Sequence, residues 1–351
     1  MSVILSKKAL GFHWETQDPF LFCAHHLDKY PKGTDQLGPA MPLSRRNLGQ
    51  DFDLSNDWKM YHGRTVPGFP EHPHRGFETV TVVLEGFVDH FDSKGASGRY
   101  GQGDVQWMTA GEGMQHAEMF PLVHSDKENP LHLFQIWLNL PKKDKFVKPH
   151  YKMLWSEEVP IIHLKNDMIL NDETAKEESN ISVTLIAGQF MSVESAKPAP
   201  DSYASNPESE LSIMLVKIDE GAKFTLPKAS DHVKRAIYHY KGQGIKINKE
   251  ILEKEYQAYV KPEALSIESQ GKEAEILILQ AVPINEPVAQ YGPFVMNTMD
   301  EIRTAYDDYQ KTRFGGWPWD RSDPVNPKDK GRFAKYEDGR VVYPVSEDRK
   351  D

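Results

Sequence analysis

Between Phe77 and Pro141 the chain reads as short apolar strings, FETVTVVLEGFVDHF, GDVQWMTAG and HLFQIWLNLP, set apart by glycine-rich or charged breaks. Strings of that length are strand-sized. In the first, Thr79, Thr81 and Val83 alternate with Val80, Val82 and Leu84, and β-branched residues suit a pleated surface with a packed face. Gly86, Gly95, Gly98, Gly101 and Gly103 supply turns, so a β-barrel or sandwich fits this spacing better than a helical bundle.

A second series with the same rhythm starts near Ile181: ISVTLIAGQF, LSIMLVKIDEGAKFTL, RAIYHYKGQGIKI and EAEILILQAVPI. The polar stretch Glu157–Ser179 between the two series marks a domain junction, the alternative being an insertion within one larger β domain. Near the end, NTMDEIRTAYDDYQKTRFGG switches to helical period. Thr298 with Glu301 fits a capping box, Ile302, Ala305, Tyr306 and Tyr309 form an apolar stripe, and Gly315–Gly316 supply a stop. The expected organisation is all-β: one domain over residues 1–150, a second over 151–315 that includes the helix, and a charged, surface-bound extension over 316–351. Trp317, Trp319, Phe333 and Tyr336 give that extension points of anchorage.

The net charge of −10 argues against a sequence-independent grip on nucleic-acid phosphates. The single cysteine, Cys23, excludes an intrachain disulfide and suits a reducing compartment; FCAHH offers it no oriented base, so packing is its expected role. No apolar run reaches the roughly 18–20 residues that span a bilayer. A soluble, cytoplasmic protein without membrane attachment, monomeric, is expected.

The sharpest local signal is HPHRGFE. His72 and His74 are one residue apart, which in a strand puts both imidazoles on one face, although Pro73 suggests a strand start or edge. Such a pair suits a metal, or equally a turn. GDVQWMTAGEGMQHAE then repeats the one-residue separation with His116 and Glu118. If the two segments lie across the barrel from each other, His72, His74, His116 and Glu118 form a site of three nitrogens and one oxygen for a divalent first-row metal. Four protein ligands leave vacancies in an octahedral shell, which separates a reactive iron site from a closed tetrahedral zinc site. Gly111 and Gly113 allow a tight turn or close backbone approach just before His116.

Other residues are weaker candidates. Glu78 could be a ligand, a hydrogen-bond acceptor behind one, or a strand-end charge; Arg75 could tune the local field or simply pair with a carboxylate. Trp107, Met108, Phe77 and Phe134 read as core. His25 and His26 are adjacent and point oppositely in a strand. Spacing pairs none of His90, His232 and His239 with the proposed ligands.

With these motifs in view, the chain resembles the pirin family of the cupin superfamily: HPHRGFETVTVVLEG, GDVQWMTAGEGMQHAE and the distant QYGPFVMNTMDEI occur in the family's order, over most of the chain to Phe314. The resemblance implies two facing β-barrels with one mononuclear metal site in the first. The ligands carried over are His72, His74, His116 and Glu118. It further implies Fe(2+), one per chain, and a flavonol 2,3-dioxygenase activity of the quercetin type, with Glu118 as proton acceptor for an aromatic substrate. The alternative it implies is a metal- or redox-dependent regulatory protein that binds a protein partner through the face around Arg75. The extension past Gly315 resembles a longer bacterial form.

Overall fold

A computed structural model describes residues 2–165, 167–170 and 175–345. The chain divides into two compact β units, Met1–Cys23 with Glu158–Asn285, and Ala24–Glu157 with Glu286–Asp351. Among the described residues no helix is long and apolar enough to cross a membrane.

In the first unit an eight-stranded sheet runs from Ile4–Ala9 through Tyr256–Val260, Lys234–Lys241, Ala274–Ala281, Ser212–Ile218, Ile181–Ala187 and Ile161–Lys165 to Met168–Ile169. A four-stranded sheet of Lys223–Leu226, Leu265–Ser269, Gly244–Ile247 and Glu250–Glu253 closes the same core. That core is aliphatic: Val183, Val216, Ile237 and Ile276 from one sheet meet Ile247 and Ile267 from the other. Such an interior is held together by apolar packing.

The second unit is built differently inside. One sheet orders His150–Leu154, Asp104–Thr109, Phe77–Glu85, Asn129–Asn139 and Phe20–Tyr30; the other orders Val341–Val342, Phe333–Lys335, Ser97–Gly101, Phe87–Asp92, Met114–Met119 and Gly68–His74. Trp107, Met108, Phe77 and Phe134 are fully buried in it, as their composition suggests. Buried polar side chains stand beside them: Thr81, Gln106, His90, His116 and Glu118. A fold retains so many interior polar groups only where each has a partner or a ligand.

The domain boundaries differ from the expected ones at both ends. Ile4–Ala9 was expected with the histidine motifs, but it pairs antiparallel with Tyr256–Val260 and extends the other unit's sheet. The helix, expected in the second domain over 151–315, groups with the histidine motifs. The reason is local. Gly76 (φ +84°) has no side chain where a Cβ would meet the Val295 carbonyl oxygen at 2.0 Å, so Phe294–Met296 lies against the Arg75 backbone, with Val295 N–H donating to the Arg75 carbonyl at 3.0 Å. Lys145, buried, donates from Nζ to the carbonyls of Gly76 and Val295 and to Asn139 Oδ1. Sequence order does not decide which sheet a strand joins; edge pairing does.

The helix spans Met299–Thr312, and its capping box is present: Glu301 N–H donates to Thr298 Oγ1 and Thr298 N–H to Glu301 Oε2. Ile302 and Ala305 are buried. The stop comes earlier than the glycines, at Arg313 and Phe314 in the left-handed region (φ 51° and 49°). Phe314 then packs on Gly113 (φ +131°), where a Cβ would fall 2.7 Å from its ring. The following arm is anchored rather than merely laid on: Trp319 Nε1–H donates to the Asp92 carbonyl, and Phe333–Lys335 pairs with Ser97–Arg99.

Candidate metal centre

Gly68–His74 and Met114–Met119 are neighbours in one sheet, antiparallel, not opposite walls of a barrel. His72 stands directly opposite His116 and His74 opposite Met114, after a register shift between Phe69 and His72. Period-two geometry then puts all three imidazoles on one face. Their ring centroids are 4.4 Å (His72–His116), 4.8 Å (His72–His74) and 4.9 Å (His74–His116) apart. A ligating atom from each lies within 4.8 Å of the other two.

The hydrogen bonds around these rings decide which nitrogen is available. His72 Nδ1 lies 2.8 Å from the Pro70 carbonyl and His74 Nδ1 lies 3.3 Å from the Pro293 carbonyl. A carbonyl oxygen only accepts, so the ring proton sits on Nδ1 and the lone pair on Nε2. Carbonyl contacts of this kind orient ligating histidines. His116 is fully buried and neither of its ring nitrogens has a hydrogen-bond partner. A buried imidazole with two unsatisfied nitrogens is costly unless something accepts its lone pair. A cation with affinity for imidazole fits that requirement.

Glu118 borders the trio. Its Oε2 is 3.7 Å from His116 Nε2 and accepts from Gln135 Nε2 at 2.7 Å, while Oε1 accepts from Thr81 Oγ1 at 3.4 Å. Burial pushes its carboxyl above the usual carboxylate range, and the neighbouring His90, Gln135 and Thr81 offset this only in part.

Burial also holds the imidazoles neutral. His74 and His116 are pushed well down, chiefly by desolvation, and His72 to about 4. An unfolded imidazole titrates near 6.5, so below that pH the unfolded chain takes up protons that the folded His72 refuses. His72 thus contributes stability fully present above about pH 6.5 and lost as the pH falls through about 4, roughly 3 kcal/mol in all. The expected result is that metal-free protein loses thermal stability across this window and that His72→Gln flattens the profile. Identical wild-type and variant profiles would mean that His72 is not held neutral.

Residues that spacing left out complete the site. His90, which no motif pairs with the ligands, lies opposite Glu118 in register, and its ring centroid is 5.7 Å from that of His116. Its Nδ1 accepts from Gln106 Nε2 at 2.7 Å and its Nε2–H donates to Asp92 at 3.1 Å; Gln106 Oε1 in turn accepts from Tyr100. Having spent both nitrogens, His90 is a support and not a ligand. The only trace of it in the sequence is a histidine inside an apolar strand.

Glu78 belongs to neither the ligand strands nor the surface. Fully buried, it accepts from Trp107 Nε1 at 3.0 Å and Thr109 Oγ1 at 2.7 Å. Arg75 is buried too, donating to the Glu112 carbonyl and Asp308 with its guanidinium 4.5 Å from the Phe314 ring centroid. His25 and His26 do point apart, towards His132 and Tyr61 respectively. His232 is exposed; each His239 nitrogen is capped by a carbonyl oxygen, of Glu253 and Lys241, so neither is open to a metal. Cys23 is buried, and burial pushes its thiol up, away from a reactive thiolate.

Comparison with known proteins places this geometry among relatives. A family model described as Pirin matches residues 7–138, and one described as Pirin C-terminal cupin domain matches 213–315. Mouse pirin is 34% identical over 284 residues, covering 77% of this chain and 87% of that protein. Pirin-1 of Arabidopsis thaliana is 35% identical over 264 residues, 71% of this chain and 78% of that one. The crystal structure of quercetin 2,3-dioxygenase from Acinetobacter baumannii is similar with a TM-score of 0.67 at 25% identity, over 89% of this chain and 98% of that one.

Proposed function

The chain belongs to the pirin family of the cupin superfamily, and from that membership we propose that it is an iron-dependent dioxygenase that cleaves a flavonol ring, quercetin being the model substrate. The observation that carries the reading is His116, buried with two unpartnered nitrogens beside the imidazoles of His72 and His74. These three residues, with Glu118, would hold one ferrous ion in the second of the two units. When bound, the ion supplies Lewis acidity and one-electron chemistry towards oxygen.

The chain's own residues do the rest. Glu118, with its affinity for protons raised by burial, is matched to accept the acidic hydroxyl proton of a flavonol on a carboxylate oxygen, leaving the ring electron-rich. Phe77 and Trp137, whose ring centroids lie 5.0 and 5.2 Å from that of His74, make the ligand face apolar and help to exclude water. The Pro70 and Pro293 carbonyls hold the His72 and His74 rings in their ligating tautomers.

The experiment is anaerobic binding of quercetin to protein of measured iron content, then admission of oxygen with oxygen uptake and carbon monoxide followed together. Equimolar oxygen consumption and carbon monoxide release are expected, and loss of both in His74→Ala. Fully iron-loaded protein that yields neither would overturn the assignment for this flavonol. A partner-binding regulator is less favoured, because Arg75, its expected contact, is buried against Asp308, Glu112 and Phe314.

A further inference from the structure

Three strands of one sheet place Gln135, Thr81 and Gln106 side by side: Gln135 pairs with Thr81, and Thr81 with Gln106. This polar row meets Glu118 and His90, themselves register partners on the other sheet. Within the row the orientation of Gln135 is decided by chemistry. Its Oε1 lies 3.4 Å from Trp137 Nε1, and an indole N–H can only donate. The amide N–H2 therefore faces Glu118; turned over, it would set two donors together and an oxygen against a carboxylate. Trp137 is pinned in turn by Phe77, at a centroid distance of 4.1 Å, and by His74 at 5.2 Å. A chain of contacts thus joins His74, on the first ligand strand, to Glu118, on the second, through a strand that carries no ligand.

The bond from Gln135 falls on Oε2, the oxygen 3.7 Å from His116 Nε2. A hydrogen bond to a charged acceptor is among the stronger ones in a buried site. Here it is made to a carboxylate oxygen that lies beside His116. We propose that Gln135 is a positioning residue that competes with the metal for Glu118, so that the carboxylate is a releasable ligand. The inference rests on the reading that Glu118 faces a metal.

Cobalt(II) tests it without turnover. Its affinity for metal-free protein is measured by competition with a chelator, and its visible spectrum recorded, for wild type, Gln135→Met, Thr81→Val and Glu118→Gln. Methionine keeps the volume and removes the donor. Gln135→Met is expected to bind cobalt about tenfold more tightly with a shifted visible band. Thr81→Val should move in the same direction by less, since its contact is the longer at 3.4 Å, and Glu118→Gln should weaken binding. Unchanged or weaker binding by Gln135→Met, with Glu118→Gln weakened, would overturn the competition while leaving Glu118 a ligand. No change in Glu118→Gln would overturn both. Should Gln135→Met fail to fold, Thr81→Val must show tighter binding or the proposal falls.

Discussion

His116→Ala is expected to lower metal affinity by more than about 100-fold, whereas His239→Ala leaves it unchanged. Altering the groups that merely orient a ligand commonly costs about 10–100-fold, so deleting a ligand costs more. The two histidines make a matched comparison because both are fully buried. They differ in what their nitrogens meet: no hydrogen-bond partner for His116, two carbonyl oxygens for His239. His239→Ala should instead lower stability by about 1–3 kcal/mol, the cost of leaving buried acceptors unpaired. Metal content after dialysis and the thermal midpoint of each metal-free variant read the two effects separately. A comparable loss of metal from both would mean that the two units bind alike.

Arg99→Met is expected to destabilise the histidine-bearing unit by about 3–5 kcal/mol and to release the C-terminal arm. Arg99 and Asp89 are both buried and joined by two hydrogen bonds of 2.7 and 2.8 Å. The remaining guanidinium hydrogens reach the carbonyls of Asn326, Pro327 and Lys330, and Asn326 N–H returns to Asp89. Removing one partner leaves an uncompensated buried charge, the origin of that cost; replacing both usually recovers much of it. The double variant Asp89→Leu with Arg99→Met should therefore be more stable than Arg99→Met alone. Thermal unfolding and proteolysis at the arm are the measurements. An Arg99→Met protein within about 0.5 kcal/mol of wild type, the size of an ordinary surface change, would mean that the arm is held elsewhere. Asp89 adjoins His90 on the strand paired with His116 and Glu118, so an arm outside both matched family segments bonds to the strand next to the histidine cluster.

How much of this could be read in advance follows from what strands do to a sequence. Side chains two residues apart on one strand share a face and leave a local trace, which is why HPH and HAE stood out and why the three histidines meet. Gly113 was legible for a similar reason, since a close approach needs a missing side chain. The register shift between Phe69 and His72, by contrast, has no signature in the letters, and it is this shift that sets His72 opposite His116. Gln135, Thr81, Gln106 and His90 come from four strands and become neighbours only through pairing and packing. The role of Glu78 stayed open among three readings because Arg75 and Gly76 turn the chain from the strand of His74 into the next. Ile4–Ala9 went to the other unit because a sheet edge there accepts it.

The most direct measurement is X-ray absorption at the iron edge on protein reconstituted anaerobically and assayed for iron per chain. One ion per chain in a shell dominated by imidazole nitrogen, with oxygen beside it, is the expected result, and His116→Ala should lose that signature. A shell without imidazole, or no retained iron in the intact chain, would contradict a single centre shared by His72, His74 and His116.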